Sequence, residues 1–166
     1  MKHCLPLLIA CALLPACGLQ PVYSGGSGGP VAEVLRTIKV GPIEGQSGWL
    51  VRNHLTDRLG AAGSAQPAYR LDVTLDDSLT SFGIRSDRAA TRERRTLRAR
   101  YQLVSLSTGL VVLDATAGSD AGIDVVSSEY ATVAAEQSAL ENLAQILADQ
   151  IMARLATYGA RTQPAR

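Results

Sequence analysis

The sequence predicts an α+β fold: a two-layer sandwich in which a four-stranded mixed or antiparallel sheet carries two helices on one face, in the order β-α-β-β-β-α. Two segments alternate apolar and polar residues, as half-buried strands do, and a long segment rich in Ala and Leu lacks Gly and Pro, as helices do. Each predicted helix has one apolar stripe and each strand one apolar face, so both helices should cover the same side of the sheet. The other side is then polar and exposed.

Residues 1–16 are predicted to be a lipoprotein signal peptide. Lys2 precedes an apolar run from Cys4 to Leu14, which is too short to span a bilayer but typical of a secretory signal. Leu14-Pro15-Ala16-Cys17 then resembles a bacterial lipobox. We expect Cys17 to become the mature N-terminus with N-acyl and S-diacylglycerol groups, and we expect no other cofactor. The alternative is a signal peptide cut elsewhere, which leaves Cys17 as a free thiol.

One domain is predicted to follow. Residues 17–30 form the acylated N-terminus and a Gly/Ser-rich linker, residues 31–160 a single α+β domain, and residues 161–166 a flexible tail. Cys17 is the only cysteine of the mature chain, so an intrachain disulfide is excluded. No later apolar run approaches the roughly twenty residues of a membrane-spanning helix, so the membrane attachment expected is the lipid on Cys17.

The domain is expected to begin with a strand and a short helix. Val34–Val40 is a β-branched run closed by Gly41-Pro42, which predicts the first strand. Ser47 could cap a helix that ends near Gly60 and Gly63. Its apolar face is predicted from i+4 spacing to contain Val51, Leu55 and Leu59. Trp49, in the first turn, is expected to be a core or helix-entry residue.

The two alternating segments predict the second and third strands. One face of the second should hold Tyr69, Leu71, Val73 and Leu75, and one face of the third Leu97, Ala99, Tyr101 and Leu103. The connection from Thr80 to Thr91 is long and polar, so we expect a hairpin with a mobile tip.

The last two elements are a fourth strand and the longest helix. The strand is predicted at 110–113, with an irregular continuation toward Val126 that Gly118 and Gly122 would interrupt. Ser127 or Ser128 should open a helix over 130–158, ended by Gly159. Its apolar stripe is predicted to contain Leu140, Leu143, Leu147, Ile151 and Leu155.

Composition and motifs argue against an enzyme. The mature chain has one histidine, His54, and its only carboxylate doublet, Asp76-Asp77, points to opposite faces of a strand, so the two cannot act as a pair. Lys2 leaves with the signal, so acidic and basic side chains balance and bulk charge gives no attraction to nucleic acid. We therefore predict a non-enzymatic protein with no metal site and no nucleic-acid partner.

Arginine density is the outstanding chemical feature. Seven arginines fall between Arg85 and Arg100, and three of them, Arg94, Arg98 and Arg100, share one strand face. Guanidinium groups in such a row suit phosphates or carboxylates of a ligand. Alternatively, Asp72 and Asp76 on the neighbouring strand could pair with Arg98 and Arg100 across the ladder. Arg92 and Arg94, which have fewer acidic neighbours, are the better ligand candidates.

Cys17-Gly-Leu-Gln-Pro-Val-Tyr23 resembles the Cys-Gly-Phe-x-Pro-Leu-Tyr start of the LptE family of lipopolysaccharide-assembly lipoproteins. Leu19 and Val22 are apolar departures from that pattern. The later order is similar too: an alternating strand from Tyr69, an Arg-rich strand ending in Tyr101-Gln-Leu103, and a long Ala/Glu/Leu helix after Tyr130. The resemblance therefore extends over essentially the whole mature chain.

The resemblance implies a function and partners. Members of the family plug the lumen of the LptD-type outer-membrane β-barrel, help assemble it, and assist lipopolysaccharide transport to the outer leaflet. Gly18 after the lipidated cysteine is similar to lipoproteins exported to the outer membrane of Gram-negative bacteria. As lipopolysaccharide contacts we expect Arg92, Arg94, Arg98 and Arg100. The alternative function is a periplasm-facing lipoprotein that binds an anionic ligand, or a transporter or cell-wall partner, without a barrel.

Overall fold

A computed structural model describes residues 29–60, 65–84 and 90–162. The described residues form a two-layer α+β sandwich with a four-stranded mixed sheet, which confirms the predicted fold class. The strand order is β1-β2-β3-β4; β1 and β2 are parallel, and the other two neighbouring pairs are antiparallel. Within these residues, no helix has both the length and the apolar character needed to cross a membrane. The predicted signal peptide and Cys17 lie outside the described residues.

Three helices and four strands are formed by the described residues. In chain order they are α1 (Pro30–Arg36), β1 (Ile38–Val40), α2 (Gly45–Gly60), β2 (Tyr69–Ile84), β3 (Ala90–Ser105), β4 (Val111–Asp124) and α3 (Glu129–Arg161).

Helix α1 corrects the prediction of a strand over Val34–Val40 and adds a helix to the predicted two. Pro30 occupies the first turn, where its fixed φ and missing N–H are tolerated, and Arg36 lies in the last turn. Val31 and Leu35, one helical turn apart, are buried. Tertiary packing therefore overrides the β-branched composition, and the strand shrinks to Ile38–Val40.

Helix α2 has the predicted core face but a different first turn. Val51 and Leu55 are fully buried and Leu59 nearly so. The helix starts at Gly45, which has φ +79°, and Ser47, expected as its cap, lies inside the helix. Trp49 is therefore the fifth residue of the helix, in its second turn, and it is 62% exposed. Of the two places expected for it, the core and the helix entry, the core is wrong.

Strands β2 and β3 form a longer hairpin than predicted. Leu71 pairs with Leu103 and Leu75 with Ala99, so the predicted apolar faces of the two strands coincide. The ladder continues to Ile84 and resumes at Ala90, because the polar residues expected in the connection remain paired as strand. The predicted mobile tip, including Arg85 and Arg88, falls largely outside the described residues.

Strand β4 runs unbroken through the two glycines that were expected to interrupt it. Gly118 pairs with Arg98 and Gly122 with Arg94. The Gln150 side chain of α3 binds the open edge of β4, where its Oε1 accepts from Gly118 N at 3.1 Å and its Nε2 donates to Gly118 O at 3.4 Å. The amide group thereby takes the place of a further strand at this point.

Helix α3 has the predicted apolar stripe and N-terminus but extends past its predicted end. Ser128 caps it, its hydroxyl accepting from Ala131 N at 3.4 Å. The stripe residues from Leu140 to Leu155 are at most 1% exposed. Gly159 does not terminate the helix; it is buried against α1, where a Cβ would lie 3.5 Å from Val34 Cβ. All three helices contact the core on one side of the sheet, so no helix of the described residues covers the other, open side.

Candidate ligand-binding face

The open side of the sheet is a polar surface built on β3. We call it the arginine face and define it by the even-numbered side chains of β3, from Arg92 to Gln102, with their neighbours on β2 and β4. These side chains alternate with the buried Leu97, Ala99 and Tyr101 and therefore point away from the helices. Arg94, Arg98 and Arg100 belong to this face, as the sequence predicts, and Arg92 belongs to it as well.

Arg92 and Arg94, at the hairpin end of the face, are both engaged within the sheet. Arg92 Nε donates to Asp124 Oδ1 at 3.0 Å, directly across the β3–β4 ladder. Arg94 Nε lies 3.7 Å from Asp120 Oδ2, and its guanidinium carbon lies 5.5 Å from the centroid of the Phe82 ring. Both arginines therefore have acidic neighbours on β4, contrary to the basis on which they were ranked as the better ligand candidates.

Arg100 is held more firmly. Its Nη2 donates to Asp114 Oδ2 at 2.8 Å and its Nε to Oδ1 at 3.2 Å, while Gln102 Nε2 donates to the same carboxylate at 2.9 Å. These hydrogen bonds from Arg100 and Gln102 lower the pKa of Asp114 to about 2. Asp114 therefore stays ionised over the whole physiological range, and Arg100 keeps its partner.

Arg98 is different, because it has no hydrogen-bond or ion-pair partner among the described residues. Asp76 faces it in the β2–β3 register, but the two side chains form no ion pair. Arg98 instead lies over Gly118, where a Cβ would come within 3.3 Å of Arg98 Cγ. Arg98 borders an open basin of about 710 Å³, whose lining includes Asp76 and Asp120 as well as Thr74, Thr96 and Thr116. Arg98 is therefore an unpaired cation surrounded by hydrogen-bonding groups.

The predicted pairing of Asp72 and Asp76 with Arg98 and Arg100 is wrong. Asp72 binds Arg70 of its own strand, with Nε to Oδ1 at 2.8 Å and Nη2 to Oδ2 at 2.9 Å, because residues two apart on a strand share a face. The carboxylates that bind the arginines come from β4 instead. Predicting β4 over its full length would have revealed Asp114, Asp120 and Asp124 at even positions, on the arginine face.

Asp77 and Arg95 form an ion pair on the opposite side of the sheet, a pairing that the sequence does not predict. Arg95 Nη2 donates to Asp77 Oδ2 at 2.8 Å, its Nε to Oδ1 at 2.9 Å, and its Nη1 to the Glu136 carbonyl of α3 at 3.2 Å. The two side chains are only 18% and 22% exposed. Asp76 and Asp77 thus point to opposite faces, as predicted.

Glu93 of the hairpin and Glu136 of α3 lie close enough to affect each other. Ser81 Oγ donates to Glu93 Oε1 at 2.9 Å, and Glu93 Oε2 is buried. Burial, followed by the charge of Glu93, raises the pKa of Glu136. Across the described ranges, no three of His, Cys, Asp or Glu converge as metal ligands.

The family comparison identifies one match over most of the chain. The model of the family described as LptE, lipopolysaccharide-assembly, matches residues 35–155. These residues run from the end of α1 almost to the end of α3 and therefore include all four strands and the arginine face. Among curated protein sequences, none matches the chain.

Solved structures share the fold. A Caulobacter crescentus protein assigned as a lipoprotein has 28% identity and a TM-score of 0.68, with coverage of 82% of this chain and 100% of that one. Rare lipoprotein B from Shewanella oneidensis has 11% identity and a TM-score of 0.59, covering 75% and 96%. A minor lipoprotein from Acinetobacter baumannii has 11% identity and a TM-score of 0.56, covering 78% and 98%. At 11% identity, the last two show similarity of fold alone.

Proposed function

We propose, from the premise that this chain belongs to the LptE family of lipopolysaccharide-assembly proteins, that it is a non-enzymatic lipoprotein of the Gram-negative outer membrane. Acylated Cys17 anchors it, and the folded domain plugs an LptD-type β-barrel, helps the barrel assemble, and assists lipopolysaccharide transport to the outer leaflet. The observation that carries the proposal is the family match over the residues that form the sheet and its arginine face.

The arginine face suits both partners of this proposal. The interior of a large outer-membrane barrel is polar, and a sheet with all helices on one side offers it a polar surface. Its four arginines are balanced by Asp76, Asp114, Asp120 and Asp124, so this surface adds little net charge to the lumen.

Arg98 is the lipopolysaccharide contact that we rank first. A phosphate can bind its guanidinium without displacing a carboxylate, whereas Arg92, Arg94 and Arg100 must first release theirs. Exposed ion pairs contribute only about 0–1 kcal/mol each, so these three can still act as secondary contacts.

Purification from outer membranes in mild detergent tests the plug. A large β-barrel should copurify at one-to-one stoichiometry, and wild-type protein should bind lipopolysaccharide. Arg98→Gln should weaken that binding about tenfold to a hundredfold, the range expected for losing a charged hydrogen bond. Arg161→Gln, an exposed arginine at the end of α3, is the matched control.

The outcomes separate the two predicted functions. Absence of a barrel partner from intact outer membranes would refute the plug, and anion binding that persists without it would favour the periplasm-facing binding module. Equal lipopolysaccharide affinity of Arg98→Gln and Arg161→Gln would refute Arg98 as the principal contact while leaving the plug unaffected.

A further inference from the structure

A second basic surface lies at the exposed edge of β1, away from the arginine face. We call it the β1-edge basin; its volume is about 540 Å³, and its lining includes Lys39, Val40, Arg52, Pro67 and Leu106. Such a volume is within the range of small-molecule sites. Arg70, which also lines it, is six residues from Asp76 on β2, or about 20 Å along the strand. Because Asp76 faces Arg98, the basin and Arg98 are separate sites.

The charges of the basin are unbalanced. Its cationic lining residues are Lys39, Arg52 and Arg70, and none of the described residues that line it is a carboxylate. Asp72 neutralises Arg70 through three hydrogen bonds of 2.8 to 3.0 Å. Lys39 and Arg52, in contrast, pair with no carboxylate among the described residues. Two charges therefore remain for an external anion.

The same two cations border a neighbouring cavity. It has a volume of about 330 Å³, and its lining includes Lys39, Arg52, Ile38 and Leu59. The part of the chain that the structure describes contributes no carboxylate to it. The two side chains thus lie between two adjoining spaces, each with apolar as well as cationic walls. A ligand with an anionic group and a larger apolar part matches this arrangement better than a small ion does.

Exposed apolar side chains accompany these cations. Leu106, which lines the basin, is 48% exposed, and Leu110 beyond it in the β3–β4 turn is 65% exposed. Trp49 precedes Arg52 by three residues on α2, so the two share a helix face. Tryptophan beside cationic side chains is the combination that proteins place at the headgroup level of a bilayer.

We propose that the β1-edge basin binds the headgroup of an anionic phospholipid. The phosphate lies between Lys39 and Arg52, and the glycerol and upper acyl chain lie against Val40, Pro67 and Leu106. Arginine and lysine both bind phosphate well, and the apolar wall distinguishes a phospholipid from inorganic phosphate. This site does not depend on the proposed plug function or on Arg98.

The test titrates full-length protein in neutral-detergent micelles with short-chain phosphatidylglycerol. Binding is followed by the fluorescence of Trp49, the only tryptophan, and independently by the amide NMR shifts of Lys39 and Gly41. The same titration is carried out with phosphatidylcholine, with inorganic phosphate and with lipopolysaccharide. The variants are Lys39→Gln/Arg52→Gln, Leu106→Asn and, as a control with the same charge change on α3, Arg154→Gln/Arg161→Gln.

We expect saturable binding of phosphatidylglycerol and much weaker binding of phosphatidylcholine and inorganic phosphate. Lys39→Gln/Arg52→Gln should lose at least tenfold in affinity and Leu106→Asn several-fold, whereas the α3 control should change less than twofold at an unchanged unfolding midpoint. The proposal is overturned if wild-type amides do not respond to phosphatidylglycerol or if Lys39→Gln/Arg52→Gln binds it as well as wild type. Equal affinity for inorganic phosphate, or a response to lipopolysaccharide alone, also overturns it.

Discussion

The Asp77–Arg95 ion pair should contribute far more to stability than the exposed pairs of the same sheet. Asp77→Asn keeps the shape of the side chain but leaves the Arg95 guanidinium, which is 18% exposed, without its counter-charge. Breaking a fully buried pair costs about 3–5 kcal/mol. Because about a fifth of each side chain still reaches solvent, we expect a loss of about 2–3 kcal/mol.

The Arg92–Asp124 pair is the matched control. It joins the same residue types with a similar Nε–Oδ1 distance, 3.0 Å, but its side chains are 61% and 75% exposed. Asp124→Asn should therefore cost only about 0–1 kcal/mol. Because the strand β3 and the chemistry of the substitution are shared, comparing the two variants measures the combined effect of burial and of the additional hydrogen bonds that Arg95 makes.

Urea unfolding of full-length protein in neutral detergent, followed by circular dichroism, measures both losses. One kcal/mol corresponds to about 2–4 °C in a domain of this size, so Asp77→Asn should also lower Tm by about 5–10 °C. The apolar double variant Arg95→Met/Asp77→Leu should be more stable than Asp77→Asn, since it leaves no unpaired charge. A loss for Asp77→Asn within about 0.5 kcal/mol of that for Asp124→Asn would refute the reasoning, because burial and the additional hydrogen bonds would then have no measurable effect.

Three further predictions use glycines and one carboxyl group. Gly118→Val should displace Arg98 and so reduce lipopolysaccharide binding without removing a charge. Gly122→Val should not, because a Cβ there meets no described atom within 4 Å, and equal binding isotherms of the two variants would contradict this. Gly48→Ala puts a Cβ 2.7 Å from the Ile43 carbonyl oxygen, which should cost about 1–3 kcal/mol in strain. This cost should outweigh the gain in helix propensity of about 0.5–1 kcal/mol, so urea unfolding should show a less stable protein. The folded-state pKa of Glu136 is raised, so its ionisation costs folding free energy as the pH rises from acidic to neutral. Over that range, wild type should lose stability relative to Glu136→Gln. A difference in unfolding free energy between the two proteins that does not change with pH would exclude this.

Regular periodicity made most of the fold predictable. Val51, Leu55 and Leu59 repeat at helical spacing and Leu97, Ala99, Tyr101 and Leu103 at strand spacing, and all seven are buried where those patterns placed them. The stripe of α3 was found for the same reason. The local sequence pattern is sufficient to predict a helix or strand and its buried face wherever that face packs directly against the core.

The errors arise where a distant element decides the outcome. Val34 favours a strand by composition, but its α1 helix is held against Gly159 of α3, and the same contact keeps Gly159 helical and buried. Likewise, Gly118 remains within β4 because the ladder to Arg98 and the Gln150 amide bind its backbone. Neither contact can be read from residues close in sequence.

The arginine face shows the same limit at the level of function. Alternation correctly placed Arg98 and Arg100 on one face, but their environments differ because β4 supplies Asp114 near one and Gly118 beside the other. A face with balanced charges gives little long-range attraction to an anion, so recognition has to depend on a local imbalance. Arg98, without a partner among the described residues and bordering an open basin, provides that imbalance, and its neighbours' ion pairs fix the surface around it. Which residues of the neighbouring strands face each arginine therefore says more about ligand binding than the number of arginines on β3 does.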